Sequence, residues 1–143
     1  IATLGMALAN LTVLRWRLDQ DTDRNRDVSD TGETVPALEI HHDRGPVRVS
    51  YEYLVRTEDA HDFTVCMQDM RRVRRRGGAD NWAVYEDILQ PGIFVETFVV
   101  GSWMEHLRQL ERYTMNDQKI QTRVYAFHQG EEMPVARYLV APE

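Results

Sequence analysis

Seven polar or aromatic side chains between residues 81 and 113 could line a pocket for a small molecule. Histidine is a common general base, a carboxyl group can act as an acid, and aromatic and amide groups can hold a planar ligand. Each also has a structural interpretation, because buried tryptophans more often anchor a core and bond a carbonyl through the indole N–H. The candidates are Asn81, Trp82, Tyr85, Glu96, Trp103, His106 and Tyr113.

His106 falls inside a predicted helix, within one turn of Glu105 and of Arg108. These charged neighbours favour a histidine at the surface or in helix packing over a general base. The general-base interpretation requires a pocket that excludes water around the imidazole.

Glu96 is unusual because it shares a predicted strand face with Phe94 and Phe98. Burial disfavours an unpaired carboxylate, so this residue needs a partner. We expect a buried structural pair with Arg112 or Tyr85. A carboxyl group that faces a substrate is the alternative.

A run of arginines ends the first predicted helix, in the segment RRVRRRGG. Cations near a helix C-terminus are stabilising in themselves, so a solvated helix end is the default interpretation. Contact with anionic lipid head groups is the alternative, worth roughly 1 kcal/mol per basic residue near the surface. The residues of this predicted basic patch are Arg71, Arg72, Arg74, Arg75 and Arg76.

The composition argues against several functional classes. A net charge of −6 argues against a dedicated nucleic-acid binder. The sequence has no phosphate loop, dinucleotide fingerprint, nucleophile elbow or C-x-x-C motif. Adjacent His41 and His42 lack the spacing of a metal site. We therefore predict neither a metal nor a cofactor.

These candidates lie on seven predicted elements in the order β-α-β-β-α-α-β. That order is typical of the ferredoxin-like α+β fold, with a four-stranded antiparallel sheet. Ser102 with Glu105, and Thr114 with Asp117, have capping-box spacing at two helix starts. The predicted elements are Val47–Val55, Thr57–Arg76, Asn81–Leu89, Gly92–Val100, Ser102–Glu111, Thr114–Phe127 and Val135–Val140.

The N-terminal segment has a different character. Residues 1–14 carry no charge, and the basic flank Arg15-Trp16-Arg17 follows. A bilayer span needs about twenty residues, so we interpret residues 1–17 as the truncated end of a transmembrane helix with its basic side in the cytoplasm. An amphipathic helix that packs on the domain is the alternative.

Residues 18–46 are rich in Asp, Arg, Thr and Gly, which predicts a flexible polar linker. The folded domain then spans residues 47–143. We expect one sheet face to be rich in aromatic and aliphatic side chains and to need cover. A homodimer in which the two sheets face each other is the simplest cover, giving a dimeric α/β barrel.

Several segments resemble a known family. VRVSYEYLV, NWAVYEDILQPGIFVETFVVGSWMEHLRQLERYT and RYLVAP are similar to the antibiotic-biosynthesis-monooxygenase-like dimeric α/β-barrel domain. The run from ETF to ERYT more closely resembles the cytoplasmic C-terminal extension of bacterial major facilitator superfamily exporters, in the enterobactin-exporter-like branch. In that group a last transmembrane helix, a polar linker and this domain follow one another, as here.

The resemblance implies an accessory domain of a membrane exporter, on the cytoplasmic side of the inner membrane. Dimerisation, regulation or sensing of a small-molecule ligand would be its role, without catalysis of its own. A cofactor-free monooxygenase of aromatic polyketide-like substrates, or a haem-handling relative, is the alternative. The family often has a second histidine in the run QHER, where this chain has Leu110, so only His106 is matched.

Overall fold

A computed structural model describes residue 41 and residues 43–142. The predicted transmembrane segment, and the predicted linker up to residue 40, lie outside these residues. By its internal contacts the chain divides into two units, residues 1–40 and residues 41–143. Within the described part, no helix has the length and apolar character needed to cross a membrane.

The described residues form four strands and three helices in the predicted order, and a short 3₁₀ turn, Thr57–Asp59, precedes the first helix. The strands make one antiparallel sheet with the spatial order β2-β3-β1-β4, so the predicted ferredoxin-like α+β fold is confirmed. The elements are β1 (Val47–Leu54), α1 (Ala60–Arg76), β2 (Asp80–Glu86), β3 (Ile93–Val100), α2 (Trp103–Glu111), α3 (Met115–Tyr125) and β4 (Ala136–Val140).

Helix α1 supplies most of the helical side of the core. Phe63, Met67 and Met70 recur at helical spacing and are fully buried, as the sequence predicts. The Phe63 ring lies 5.3 Å from Tyr53 of β1 and 5.1 Å from Phe94 of β3, centroid to centroid. These contacts place α1 across the two central strands.

The C-terminus of α1 closes in a Schellman motif. The amide of Gly78 donates to the carbonyl of Arg75, and the amide of Ala79 donates to the carbonyl of Arg74, both at 3.0 Å. Gly78 has a φ of 100°, a conformation that glycine adopts without steric cost. This turn lays the start of β2 beside the last turn of the helix.

Both predicted helix caps are present, but only the second forms both hydrogen bonds of a capping box. Ser102 Oγ accepts from the Glu105 amide at 3.1 Å, but the Glu105 carboxylate pairs with Arg112 instead of returning to Ser102. Thr114 and Asp117 form the complete capping box of α3.

The β2–β3 hairpin is shorter than the sequence predicts. The prediction extended the strand to Leu89, but β2 ends at Glu86. The Asp87 carboxylate accepts from the amides of Leu89 and Gln90, at 2.8 and 3.2 Å, and this turns the chain early. Ile88 and Leu89 are therefore about nine-tenths exposed at the loop tip.

The sheet has two unlike faces. One carries Tyr53, Phe94 and their register partners, and it is covered by the helices. The other is more polar than expected, since Tyr85 is its one aromatic residue among the described strands. Its members are Arg48, Ser50, Glu52, Leu54, Asp80, Ala83, Tyr85, Ile93, Val95, Thr97, Val99, Arg137 and Leu139.

The end of the predicted linker is attached to the domain. The Arg44 carbonyl accepts from the Trp103 amide at 3.1 Å, and the Arg44 guanidinium donates to the Ala141 carbonyl at 3.0 Å. A side chain at Gly45 would lie 2.1 Å from the Gly101 carbonyl oxygen, so only glycine allows this close approach. The chain is thus fixed from Arg44 onward.

Candidate functional site

The most concentrated chemistry of the domain surrounds Glu96, which is fully buried on β3. Arg74 of α1 binds both carboxylate oxygens, with Nε at 2.9 Å and Nη2 at 3.2 Å. Tyr53 Oη donates to the same carboxylate at 3.1 Å and Trp82 Nε1 at 2.9 Å. Four donors therefore satisfy one carboxylate that has no exposure to solvent.

The Arg74 guanidinium is held equally closely. Its third nitrogen donates to Tyr113 Oη at 3.0 Å, and its centre lies 4.8 Å from the Tyr51 ring and 4.9 Å from the Phe98 ring. Burial alone would lower the pKa of Arg74, but the Glu96 carboxylate outweighs it and holds the pKa well above its usual value. The arginine is permanently charged.

The surrounding tyrosines are donors rather than bases. Burial, with a further contribution from the Glu96 carboxylate, raises the pKa of Tyr53 well above 10. Burial also raises the pKa values of Tyr51 and Tyr113, although the charge of Arg74 opposes it. All three phenols keep their protons at neutral pH.

The partner predicted for Glu96 was wrong, although the buried structural pair is present. Arg112 pairs with Glu105, and Tyr85 is 62% exposed on the other sheet face. The sequence carried a signal for the real partner, because Arg74 continues the apolar stripe of α1 four residues after Met70. A charge on a buried stripe requires an opposite charge inside the fold.

A second cluster contains His106, Trp103 and Tyr138, with ring centroids 4.9 to 5.4 Å apart. His106 is buried, and neither ring nitrogen has a hydrogen-bond partner among the described residues. Of the two positions expected for this histidine, the surface or helix packing, the structure places it in helix packing. The Gln109 amide, one turn away, donates to the Arg74 carbonyl instead.

Burial, with the charge of Arg74, lowers the pKa of His106 from 6.5 to about 4, although the nearby Gln109 side chain opposes this shift. The imidazole is therefore neutral at physiological pH. A neutral imidazole with free nitrogens could accept a proton or a ligand hydrogen bond, if a ligand reached it.

The seven candidate residues do not form one site. Trp82 lies on β2 and Tyr138 on β4, the two opposite edges of the sheet. The first cluster takes in Trp82, Glu96 and Tyr113, while the second takes in Trp103 and His106. Tyr85 belongs to neither, since it lies on the other face.

Asn81 lies on a surface cavity of about 220 Å³, at the junction of α1 and β2. It has a positive φ of 50°, which asparagine tolerates better than most residues. Trp82 forms one wall of the cavity, which contains neither Trp103 nor His106. The lining residues are Arg71, Arg75, Ala79, Asp80, Asn81 and Trp82.

The predicted basic patch is not one surface. Arg74 is buried and must be removed from it, because its charge is used by Glu96. Arg72 pairs with Asp69, and Arg76 pairs with Asp117. Arg71 and Arg75 remain, and both line the cavity beside Asn81.

The side chains that commonly bind metal ions are scattered over the part of the chain that the structure describes. There, no three His, Cys, Asp or Glu side chains are grouped so that they could hold an ion. His41 is exposed at the start of this part, and His42 lies outside it.

Comparison with known sequences gives one family. The family model described as transmembrane secretion effector, of the major facilitator type, matches residues 1–143. A search of curated protein sequences finds no match.

Solved structures share the fold at low identity. A proposed antibiotic biosynthesis monooxygenase from Caulobacter crescentus is 16% identical with a TM-score of 0.59, covering 71% of this chain and 94% of that one. SnoaB, a cofactor-independent oxygenase from Streptomyces nogalater, is 13% identical with a TM-score of 0.56, covering 68% and 93%. A conserved protein from Methanosarcina mazei is 12% identical with a TM-score of 0.57, covering 67% and 92%. At these identities the likeness is one of fold.

The paired charges in the core lead to a stability prediction. Glu96→Gln should lower the free energy of unfolding by about 3–5 kcal/mol, because Arg74 would stay buried without an opposite charge. Urea denaturation followed by tryptophan fluorescence measures this. Glu105→Gln, which breaks the exposed pair with Arg112, is the matched control and should cost less than about 1 kcal/mol. Equal costs would contradict a dominant role for the buried pair.

His106 leads to a prediction about pH. Its pKa of about 4 in the folded state lies below 6.5, so the unfolded chain binds the proton more readily. Its contribution to stability is complete above pH 6.5 and declines as the pH falls toward 4. His106→Phe should therefore lose about 2 kcal/mol less than wild type between pH 7 and pH 4.5.

Urea denaturation at both pH values measures that difference, and the exposed His61→Gln variant serves as the control. Parallel loss of stability in wild type and His106→Phe would show that the imidazole is already accessible to protons in the folded state.

Proposed function

Because this chain belongs to the transmembrane secretion effector family, we propose that residues 47–143 form a non-catalytic accessory domain of a major-facilitator-type exporter. The basic flank at residues 15–17 supports a position on the cytoplasmic side of the inner membrane. The EHLRQ run of α2 supports a place near the enterobactin-exporter-like branch. Transport itself would belong to the membrane part.

One observation carries the non-catalytic part of this proposal. The polar groups between the sheet and α1 bond one another, since Glu96 is satisfied by Arg74, Tyr53 and Trp82. A catalytic pocket needs polar groups that are free to meet a substrate. Here those groups are committed to the stability of the domain.

A cofactor-free oxygenase is the second candidate function. The fold it shares with SnoaB supports it, and so does His106, whose ring nitrogens have no partner among the described residues. A neutral buried imidazole could remove a proton from a phenolic substrate. The imidazole ring, however, packs against the rings of Trp103 and Tyr138, with centroids about 5 Å apart.

Oxygen consumption separates the two functions. We expect the 143-residue chain, mixed with aromatic quinols, to consume oxygen at the rate of buffer alone, with no change in His106→Ala. A cofactor-independent oxygenase of the same fold is the positive control. Turnover that falls a hundredfold or more in His106→Ala would favour the oxygenase, because general bases contribute roughly 10²–10⁴ in rate.

The accessory role also has a direct test in the parent gene. Removal of the codons for residues 47–143 should leave the product in the membrane fraction but change the rate of export. Unchanged export would remove the regulatory part of the proposal.

We further propose that two copies of the domain associate through the sheet face that the helices leave open. Tyr85 and Leu139 are 62% and 46% exposed there, and Val95 and Val99 lie between them on β3. A second copy would remove these apolar surfaces from water. The arrangement would be isologous, with the same face buried on both copies.

The mass in solution tests this dimer. We expect wild type to sediment at twice the mass of the 16.7 kDa chain, and Leu139→Asp to shift the equilibrium toward monomer. Ile88→Asp places the same charge on an exposed residue at the loop tip and should leave the dimer intact. A monomeric wild type at micromolar concentration would refute the interface.

A further inference from the structure

One end of the sheet gathers the features that bear on the membrane. The described chain enters at residues 43–46 and begins β1 at Val47, which pairs with Val100 of β3 and with Val140 of β4. Asp80, the first residue of β2, pairs with Val99 at the same end. The cavity at the junction of α1 and β2 therefore lies at the same end of the sheet as residues 43–46, where the described chain leads into β1.

Two arginines of this cavity form no ion pair with a carboxylate among the described residues. Arg71 and Arg75 lie one turn apart on α1 and are exposed. Neither forms an ion pair with a described carboxylate, unlike Arg72, Arg74 and Arg76 of the same helix. Within the described part of the chain, these two guanidinium groups are therefore exposed and lack a carboxylate partner.

The cavity walls are held in place from within. Trp82 donates its indole N–H to the buried Glu96 at 2.9 Å, which fixes the ring. The Arg71 guanidinium lies over that ring at 5.9 Å from its centroid, a cation–π contact. The Schellman turn sets Ala79 and Asp80 beside the last helical turn. The site is shaped before a ligand binds.

The size and polarity of the cavity suit a small anion. A volume of about 220 Å³ equals that of roughly seven waters at about 30 Å³ each, enough for a phosphate ester. Asn81 adds an amide donor at the rim. Asp80 also lines the cavity, and its negative charge works against an anion.

We propose that this cavity binds the phosphate of an anionic phospholipid head group. Arg71 and Arg75 would supply the charge, Asn81 a hydrogen bond, and Trp82 a rigid apolar wall suited to the head-group region. The lipid is favoured as the source of the phosphate because the family is transmembrane and the cavity lies at the end of the sheet where the described chain begins β1. This inference goes beyond the accessory role and would survive its failure.

Vesicle partitioning tests the proposal on the 143-residue chain. Vesicles of phosphatidylcholine alone are compared with vesicles of equal parts phosphatidylcholine and phosphatidylglycerol. The difference in binding between the two kinds of vesicle cancels any contribution from apolar insertion of residues 1–14, because that contribution is common to both. Arg71→Gln with Arg75→Gln should weaken binding to the anionic vesicles about 25-fold, at roughly fivefold per arginine.

The matched control removes the same two charges elsewhere. Arg72→Gln with Arg108→Gln alters exposed arginines outside the cavity and should weaken binding by less than about fivefold. Asp80→Asn should tighten it by a few fold, since an opposing charge is lost. Circular dichroism checks that each variant is folded.

Three results would overturn the proposal. Equal weakening in the two double variants would mean that net charge alone governs binding. Unchanged affinity in Asp80→Asn would remove the cavity as the site. If the Arg71 and Arg75 changes weakened the binding of inorganic phosphate but left vesicle binding unaffected, the cavity would be assigned to a soluble phosphate.

None of these results depends on the accessory role. Oxygen turnover by the chain would refute that role and leave the vesicle result standing. A failed vesicle test would leave the role in export untouched.

Discussion

The ion pair between Arg74 and Glu96 constrains the rest of the domain. It joins helix α1 to strand β3, and its other partners reach β1 through Tyr53 and β2 through Trp82. An arginine and a glutamate cannot both be buried unless each is paired and hydrogen-bonded, because an uncompensated charge in the core costs several kcal/mol. The register of the three strands and the rotation of α1 about its axis must therefore bring these groups together. Tyr113, in the connection between α2 and α3, is held by the same arginine.

The pair also shapes the function that the domain can have. It uses the polar groups at the centre of the space between the sheet and α1. Among the described residues, the imidazole of His106 has no hydrogen bond to a ring nitrogen, and the exposed guanidinium groups of Arg71 and Arg75 have no ion pair. The first is enclosed by aromatic rings, and the second opens to solvent at the end of the sheet where the chain enters.

Much of the architecture could be predicted because it depends on local patterns. The alternation of apolar and polar residues predicted β1, and the apolar stripe of Phe63, Met67 and Met70 predicted α1. The capping-box spacing of Thr114 and Asp117 predicted the start of α3. The predicted length of β2 was wrong. The apolar residues through Ile88 favour a longer strand, but the hydrogen bonds to Asp87 turn the chain first. The run of arginines predicts one patch only if all five face solvent, but the buried stripe of α1 passes through Arg74.

The sequence by itself determined the order of the elements, their periods, the helix caps and the family, since each depends on residues a few positions apart or on long matching runs. Only the tertiary structure decided which charges meet. Glu96 lies 22 positions from Arg74 in the chain, and its partner depends on how α1 crosses the sheet. The same holds for His106, which faces the core because α2 packs against Tyr138 of β4. Pairing across a fold follows from packing geometry, and no local spacing records it.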